Sequence, residues 1–174
     1  PVPSGAKRPK FKPDSTVYEY RDKDGNLNLF VERFIKADGV KQCLPWVYYE
    51  ADGWRCQDLP DGVLSPLYGN HHGRSWVMIH EGEKAVDAAI AACAANSTHP
   101  WAEFLRLFGH CTWKGGAIAG MPGRADWSEL DDCKEVYFMP DNDYEGYAAA
   151  QIIRKRLRCE SIYCIHWRNF PDQV

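Results

Sequence analysis

The sequence predicts an α/β fold: a parallel sheet flanked by helices, preceded by a small antiparallel β-rich subdomain. Three observations carry this reading. Alternating apolar runs broken by Asp-Gly pairs fill residues 16–68. A short continuous apolar run at 76–79, and another at 136–139 within the stretch 135–139, mark strands of the kind buried on both faces. Ala- and Ile-rich stretches of helical period separate those runs, as right-handed crossovers of a parallel sheet require.

The 174 residues suffice for one domain and a small subdomain. With 45% hydrophobic and 26% charged residues the composition is globular. No apolar stretch approaches the ~18 residues of a membrane span, so no membrane partner is expected. The start is rich in Pro and Lys and does not resemble a signal peptide. Pro at position 1 in place of Met points to an excised or processed chain. The net charge of −3 divides unevenly: residues 1–12 hold Lys7, Arg8, Lys10 and Lys12 and no acid, so the remainder carries −7. That division hints at a polyanionic partner touched by part of the chain.

Residues 1–14 read as a basic flexible arm. Residues 15–70 read as the β-rich subdomain. Within it, 17–21 alternates, Asp24-Gly25 turns, 27–34 alternates again, Asp38-Gly39 turns, and Asp52-Gly53 turns between Val47-Tyr-Tyr49 and Trp54. Pro60, Gly62, Pro66 and Gly69 form an exit loop. From residue 74 the period changes. After strand 76–79 comes a helix from Glu83 to about Ala95, then a helical segment 101–108. Residues 110–113 make a strand ended by Gly115-Gly116. Asp126 caps a short helix over 127–130. Strand 135–139, helix 146–158 and strand 161–166 close the series.

Seven cysteines are scattered without a Cys-x2-Cys pair, so reduced, mostly buried thiols are expected and no zinc site is. His71-His72 has no third ligand at metal spacing in its neighbourhood and receives no role.

Two strand ends carry acids. Residues 76–80 run into Glu81-Gly82-Glu83-Lys84, and 135–140 run into Asp141-Asn142-Asp143-Tyr144-Glu145-Gly146. Ligands of parallel sheets bind beyond the carboxyl ends of strands. If the two strands are neighbours, Glu81, Asp141 and Asp143 meet in one crevice. Three carboxylates repel unless a cation lies between them, and hard oxygen donors suit Mg2+ or Mn2+. The bland alternative is that these acids favour helix N-termini.

This arrangement, with Glu81-Gly-Glu-Lys84, Trp113-Lys-Gly-Gly116, Asp126-Trp127 and Pro140-Asp-Asn-Asp143-Tyr-Glu-Gly146, resembles the Toprim domain of bacterial-type primases, type IA and II topoisomerases and some nucleases. The nearer likeness is to phage and plasmid primases and primase–helicases; it covers most of residues 16–168. His80 departs from the pattern, which more often has an apolar residue there. The resemblance implies a Toprim domain over 74–174. It implies Asp141, Asp143 and Glu81 as ligands of Mg2+ or Mn2+, with Glu81 also as general acid/base. The implied reaction is primer synthesis on a single-stranded DNA template from NTPs. A cytoplasmic setting, in a bacterial or phage-infected cell, follows from the same likeness.

Lys84, one turn past Glu81, is a candidate for catalysis and triphosphate binding. Lys114, Gly115, Gly116 and Arg124 are candidates for phosphate contact. For nucleic acid the candidates are Lys7, Arg8, Lys10, Lys12, Arg21 and Arg33, helped by aromatics of the meander (Tyr18, Tyr20, Trp46, Tyr48, Tyr49, Trp54), which serve equally well as its core. Arg154, Lys155 and Arg158 form a solvated helix face or a docking patch. No Cys-rich ribbon and no Gly-x4-Gly-Lys-Ser/Thr loop occur, so a zinc-binding domain and a helicase domain or subunit are expected outside this chain. A Toprim nuclease and a non-catalytic nucleic-acid-binding module are the competing functions.

Overall fold

The computed structural model describes residues 2–95, 100–118 and 120–165. Two sheets are present. The first is antiparallel, in the order β1 (Thr16–Arg21), β2 (Leu27–Ile35), β3 (Lys41–Tyr49), β4 (Gly53–Cys56). Its three connections are the three Asp-Gly turns read from the sequence. Gly25, Gly39 and Gly53 adopt φ of 80°, 80° and 73°, which only glycine takes without strain.

β2 is covered on both faces. One face packs Leu29 and Val31 with Tyr18, Tyr20 and Val47. The other presents Phe30, Glu32 and Phe34, and residues 8–12 lie against it. Phe11 meets Phe30 and Trp46 edge-on at 5.2 and 6.0 Å. The Lys12 amide donates to Glu32 Oε1 at 2.6 Å, and its ammonium sits 3.5 Å from the Phe34 ring centre. Arg8 lies over Phe30. The Val2 amide donates to the Leu27 carbonyl at 2.9 Å. Glu32, 1% exposed, has its buried carboxyl oxygens satisfied by accepting from the Lys12 amide and from Trp46 Nε1.

The second sheet has the order β5 (Tyr68–Gly69), β7 (Gly109–Thr112), β6 (Trp76–His80), β8 (Glu135–Met139), β9 (Ser161–Cys164). β7, β6, β8 and β9 are parallel; β5 is antiparallel to β7, so the sheet is mixed. The sequence expectation had no such edge strand. Two residues are too few to show a period, and they sit in a loop rich in Pro and Gly. Their pairing is enforced sterically: a Cβ on Gly69 would lie 2.0 Å from the His110 carbonyl oxygen. The last expected strand, 161–166, is observed as far as Cys164; His166 lies outside the described residues.

The helices are α1 (Glu83–Ala94), α2 (Pro100–Leu105) and α3 (Tyr144–Arg154). Side chains of β6 alternate. Val77 and Ile79 join Val136, Phe138, Cys111 and Trp113 in a core closed by Ala149, Ala150, Ile153 and Leu157 of α3 and its exit. Met78 and His80 face the opposite way, toward the α1 side. Each fully buried Ile or Leu here contributes roughly 1.5–3 kcal/mol. Short 3-10 helices, Met121–Arg124 and Trp127–Leu130, replace a crossover α-helix between β7 and β8. Asp126 caps the second, its side chain accepting from the Ser128 amide. No described helix is long and apolar enough to cross a membrane.

The chain leaves β6 for β7 on one side and later places β8 on the other. The connections therefore diverge between β6 and β8, which is where open α/β sheets form their crevice.

Candidate metal and nucleotide crevice

Glu81 follows β6 directly, and Asp141 follows β8 after Pro140. Their strands are neighbours in register, His80 opposite Met139. Glu81 Oε2 accepts a hydrogen bond from the Asp141 amide at 2.8 Å. Asp143 caps α3: one carboxylate oxygen accepts from the Gly146 amide at 2.7 Å. Gly146 stands between these groups. A Cβ there would lie 2.6 Å from the Asp141 carbonyl oxygen and 2.7 Å from Glu81 Oε2. By bond geometry the hydrogen-bonded carboxylate oxygens of Glu81 and Asp143 are thus within about 8 Å of each other. The structure brings Glu81, Asp141 and Asp143 to one crevice, though not to mutual ligand contact.

The electrostatics of the crevice are one-sided. Glu81 is pushed above the usual carboxylate range, first by burial, and also by the charges of Asp141, Asp143 and Glu145; the Asp141 amide opposes this. Among the described residues none of these four acids forms an ion pair. Oxygen donors clustered without a cation fit Mg2+ or Mn2+, which binds through one or two carboxylates and retains waters.

Lys84 is exposed in the first turn of α1. The loop after β7 comes to the crevice wall. Gly115 and Gly116 have φ of 91° and 58°, and a Cβ on Gly116 would touch the Glu81 carbonyl oxygen at 3.4 Å. Trp113 Nε1 pins this loop by donating to the Gly116 carbonyl at 2.6 Å. Lys114, 5% exposed, turns to Asp58 instead of the crevice, with Nζ 2.6 Å from Oδ1. Arg124 donates to Asp58 Oδ2 at 3.3 Å and to the Leu59 carbonyl at 2.8 Å. The sequence reading missed Asp58, which lies in a Pro/Gly-rich loop and shows no pattern.

Behind Glu81 is a second feature not read from the sequence. His80 is 8% exposed, and its Nε2 lies 3.0 Å from His110 Nδ1. His110 Nε2 lies 3.1 Å from the Leu105 carbonyl oxygen. Burial, then the nearby His110, holds the His80 imidazole down at about 4, so it is neutral at pH 7.

The candidate nucleic-acid residues divide. Arg8 and Arg21 both pair with Glu19. Lys12 caps the Phe34 ring. Lys7 and Lys10 are exposed and Arg33 is half-buried. Tyr18 and Tyr20 are core residues of the meander, 3% and 0% exposed. Trp54 packs on Phe30 and Tyr48. Arg154, Lys155 and Arg158 are all exposed. His71 and His72, given no role above, meet Glu129, 58 residues away from His71.

No protein-family model and no curated protein sequence matches the chain. Solved structures do. Primase domains of two gp4 subunits of bacteriophage T7, solved with the lagging-strand DNA polymerase, an RNA/DNA hybrid and dTTP, match with a TM-score of 0.58 at 16% identity over 86% of this chain and 64% of that one. The primase fragment of the bacteriophage T7 primase-helicase matches with a TM-score of 0.51 at 17% identity over 85% of this chain and 51% of that one. A DNA primase domain from Pseudomonas aeruginosa matches with a TM-score of 0.51 at 14% identity over 88% of this chain and 44% of that one. The chain thus spans between 44% and 64% of the lengths of these chains. What it shares with the DNA primase domains of a phage and a bacterium is their fold.

Proposed function

We propose that the chain is the catalytic core of a Toprim-type DNA primase, part of a larger primase–helicase, that makes oligonucleotide primers on single-stranded DNA. The observation that carries this reading is the crevice of Glu81, Asp141 and Asp143, acids that no described side chain pairs as an ion, at the point where the sheet order diverges. The fold likeness to primase domains, one of them solved with an RNA/DNA hybrid and dTTP, supports it. Residues 74–174 form the Toprim domain and residues 15–70 the β-rich subdomain beside it.

Asp141, Asp143 and Glu81 would hold Mg2+ or Mn2+, which when bound offsets triphosphate charge and stabilises the departing pyrophosphate. Glu81, with its raised proton affinity, takes the proton of the attacking 3′-hydroxyl. The new bond joins that oxygen to the α-phosphorus of the incoming NTP as the bond to pyrophosphate breaks. Lys84 faces the triphosphate from the first turn of α1. Lys114 and Arg124 exchange Asp58 for phosphate oxygens, and Gly115 and Gly116 let the loop backbone come close. Lys7, Arg8, Lys10, Lys12, Arg21 and Arg33 neutralise template phosphates.

The test is synthesis. The chain, alone and together with helicase and zinc-binding partners, is incubated with single-stranded DNA, labelled NTPs and Mg2+ or Mn2+. Metal-dependent oligonucleotides that vanish in Asp141→Asn support the proposal. Shortened template without synthesis replaces it with a nuclease. Neither product under any of these conditions removes the enzymatic reading.

A further inference from the structure

Outside the crevice, the described residues hold one group of side chains already arranged as a metal-ligand set: His71, His72 and Glu129. One ligand atom from each lies within 4.8 Å of the other two. We infer that these three side chains form a Zn2+ site at the seam between the two sheets.

The fold builds this cluster. The β5 pairing carries the chain past His110, so that a Cβ on Gly109 would lie 2.7 Å from the His71 Cα. Glu129 reaches in from the 3-10 helix Trp127–Leu130. Its Oε2 accepts from the Leu67 amide at 3.1 Å and lies 2.9 Å from His71 Nε2. The side chains of His71 and Glu129 are 0% and 10% exposed. His71 Nδ1 is buried without a hydrogen-bond partner. A structural His–Glu pair accounts for one ring nitrogen. It leaves the other nitrogen stranded, and it does not explain why a second imidazole stacks alongside, ring centres 4.1 Å apart.

His72 completes the set. Its ring sits against that of His71, ring centres 4.1 Å apart, and lines the cavity beside Arg21 and Asp22. The Asp22 carboxylate is engaged in its own turn, with the Asp24 and Asn26 amides at 3.0 and 2.9 Å.

Two imidazole nitrogens and one carboxylate oxygen suit Zn2+ with a water in the fourth position. His72 opens on a cavity of about 280 Å³ that has room for that water. Tetrahedral Zn2+ spaces its ligands by ~3.3 Å, so binding widens the 2.9 Å approach of His71 Nε2 to Glu129 and closes any separation in the set that runs up to 4.8 Å. The site lies toward the end of the sheet opposite the acids. Gly109 is level with Val77, and Glu81 follows four residues later along β6, about 13 Å at strand rise. A bound ion would tie together the loop after β5 and the segment before β8.

The test uses the untagged chain, stripped with a chelator and checked for native circular dichroism. Zn2+ is titrated calorimetrically, and the loaded protein is read by X-ray absorption. The expected result is one Zn2+ per chain, a shell of N and O atoms without sulfur, and a higher Tm. His72→Asn and Glu129→Gln each weaken binding by roughly tenfold or more. His72→Asn leaves the Tm of the metal-free chain unchanged, which keeps the test valid should Glu129→Gln fail to fold. Asp141→Asn binds Zn2+ as the parent does. Sulfur in the shell, binding that survives His72→Asn, binding lost in Asp141→Asn, or no binding at all would each overturn the site.

Discussion

Glu81 accepts a hydrogen bond from the backbone amide of Asp141, 60 residues away and at the end of the neighbouring strand. That bond aims a carboxylate without neutralising it. Glu81→Gln can keep the acceptor and loses only the charge and the basicity. The mutant should fold with unchanged Tm and synthesise primer at least ~100-fold more slowly, in line with the loss of a general base. Labelled-NTP incorporation beside a thermal melt measures both. A drop in Tm of many degrees would make Glu81 a structural residue.

Gly146 is where the acids and the start of α3 come closest. A methyl there would collide with the Asp141 backbone, at 2.6 Å from its carbonyl oxygen and 3.0 Å from its nitrogen. Backbone atoms cannot turn away as a side chain would. Gly146→Ala is therefore expected to lose about 1–3 kcal/mol in urea unfolding, despite the better helix propensity of Ala. It should also lose synthesis, because Glu81 Oε2 is displaced by the same methyl.

Asp58 holds Lys114 and Arg124 together. Burial alone would raise the Asp58 pKa. The hydrogen bond and charge of Lys114, the Leu59 amide and the charge of Arg124 prevail and lower it below 3.8. A carboxyl that is more acidic in the folded state stabilises it above pH 3.8, and this contribution fades as pH falls through the lowered value. Asp58→Asn should thus be less stable at pH 7, by about 1–3 kcal/mol once the partial exposure of Asp58 is allowed for. The gap to the parent should close below pH 4. Urea midpoints across pH 3–7 provide the comparison; a gap independent of pH would mean the pair is not the cause.

Tyr20 links the first sheet to α1. Its hydroxyl donates to Glu83 Oε1 at 2.7 Å from a ring that is 0% exposed. Tyr20→Phe keeps the ring and removes the bond. A loss of about 1 kcal/mol is expected, with no new titration below pH 8, since burial, then Glu83, already holds the phenol well above its ordinary value. Equilibrium unfolding of the two proteins decides it.

Much of this architecture is legible in the residues themselves. Asp24-Gly25, Asp38-Gly39 and Asp52-Gly53 announce the meander because a left-handed turn residue is nearly specific to Gly. The run at 76–79 announces a buried strand because a sheet covered on both faces tolerates unbroken apolar sequence. The same reading expects strand 135–139 to be alike, but only Val136 and Phe138 of it are buried and the residues beside them are half-buried. The acids after them follow from that reading. What stays hidden depends on contacts between distant segments. Nothing near His71 in sequence foretells Glu129. Nothing in the 58–62 loop foretells that Asp58 takes Lys114 and Arg124 together. The Pro/Lys composition of the first residues masks Phe11, which packs on β2 through two ring contacts that no periodicity records.

Tyr20 of the meander and Tyr68 of β5 both end on α1, the helix that starts beside Glu81, through Glu83 and Asp87. Mechanically, a displacement of the meander would reach Glu81 through a single helix turn. On the proposed function, a strand of DNA drawn across the outer sheet would work as a lever on the crevice, with α1 as its arm.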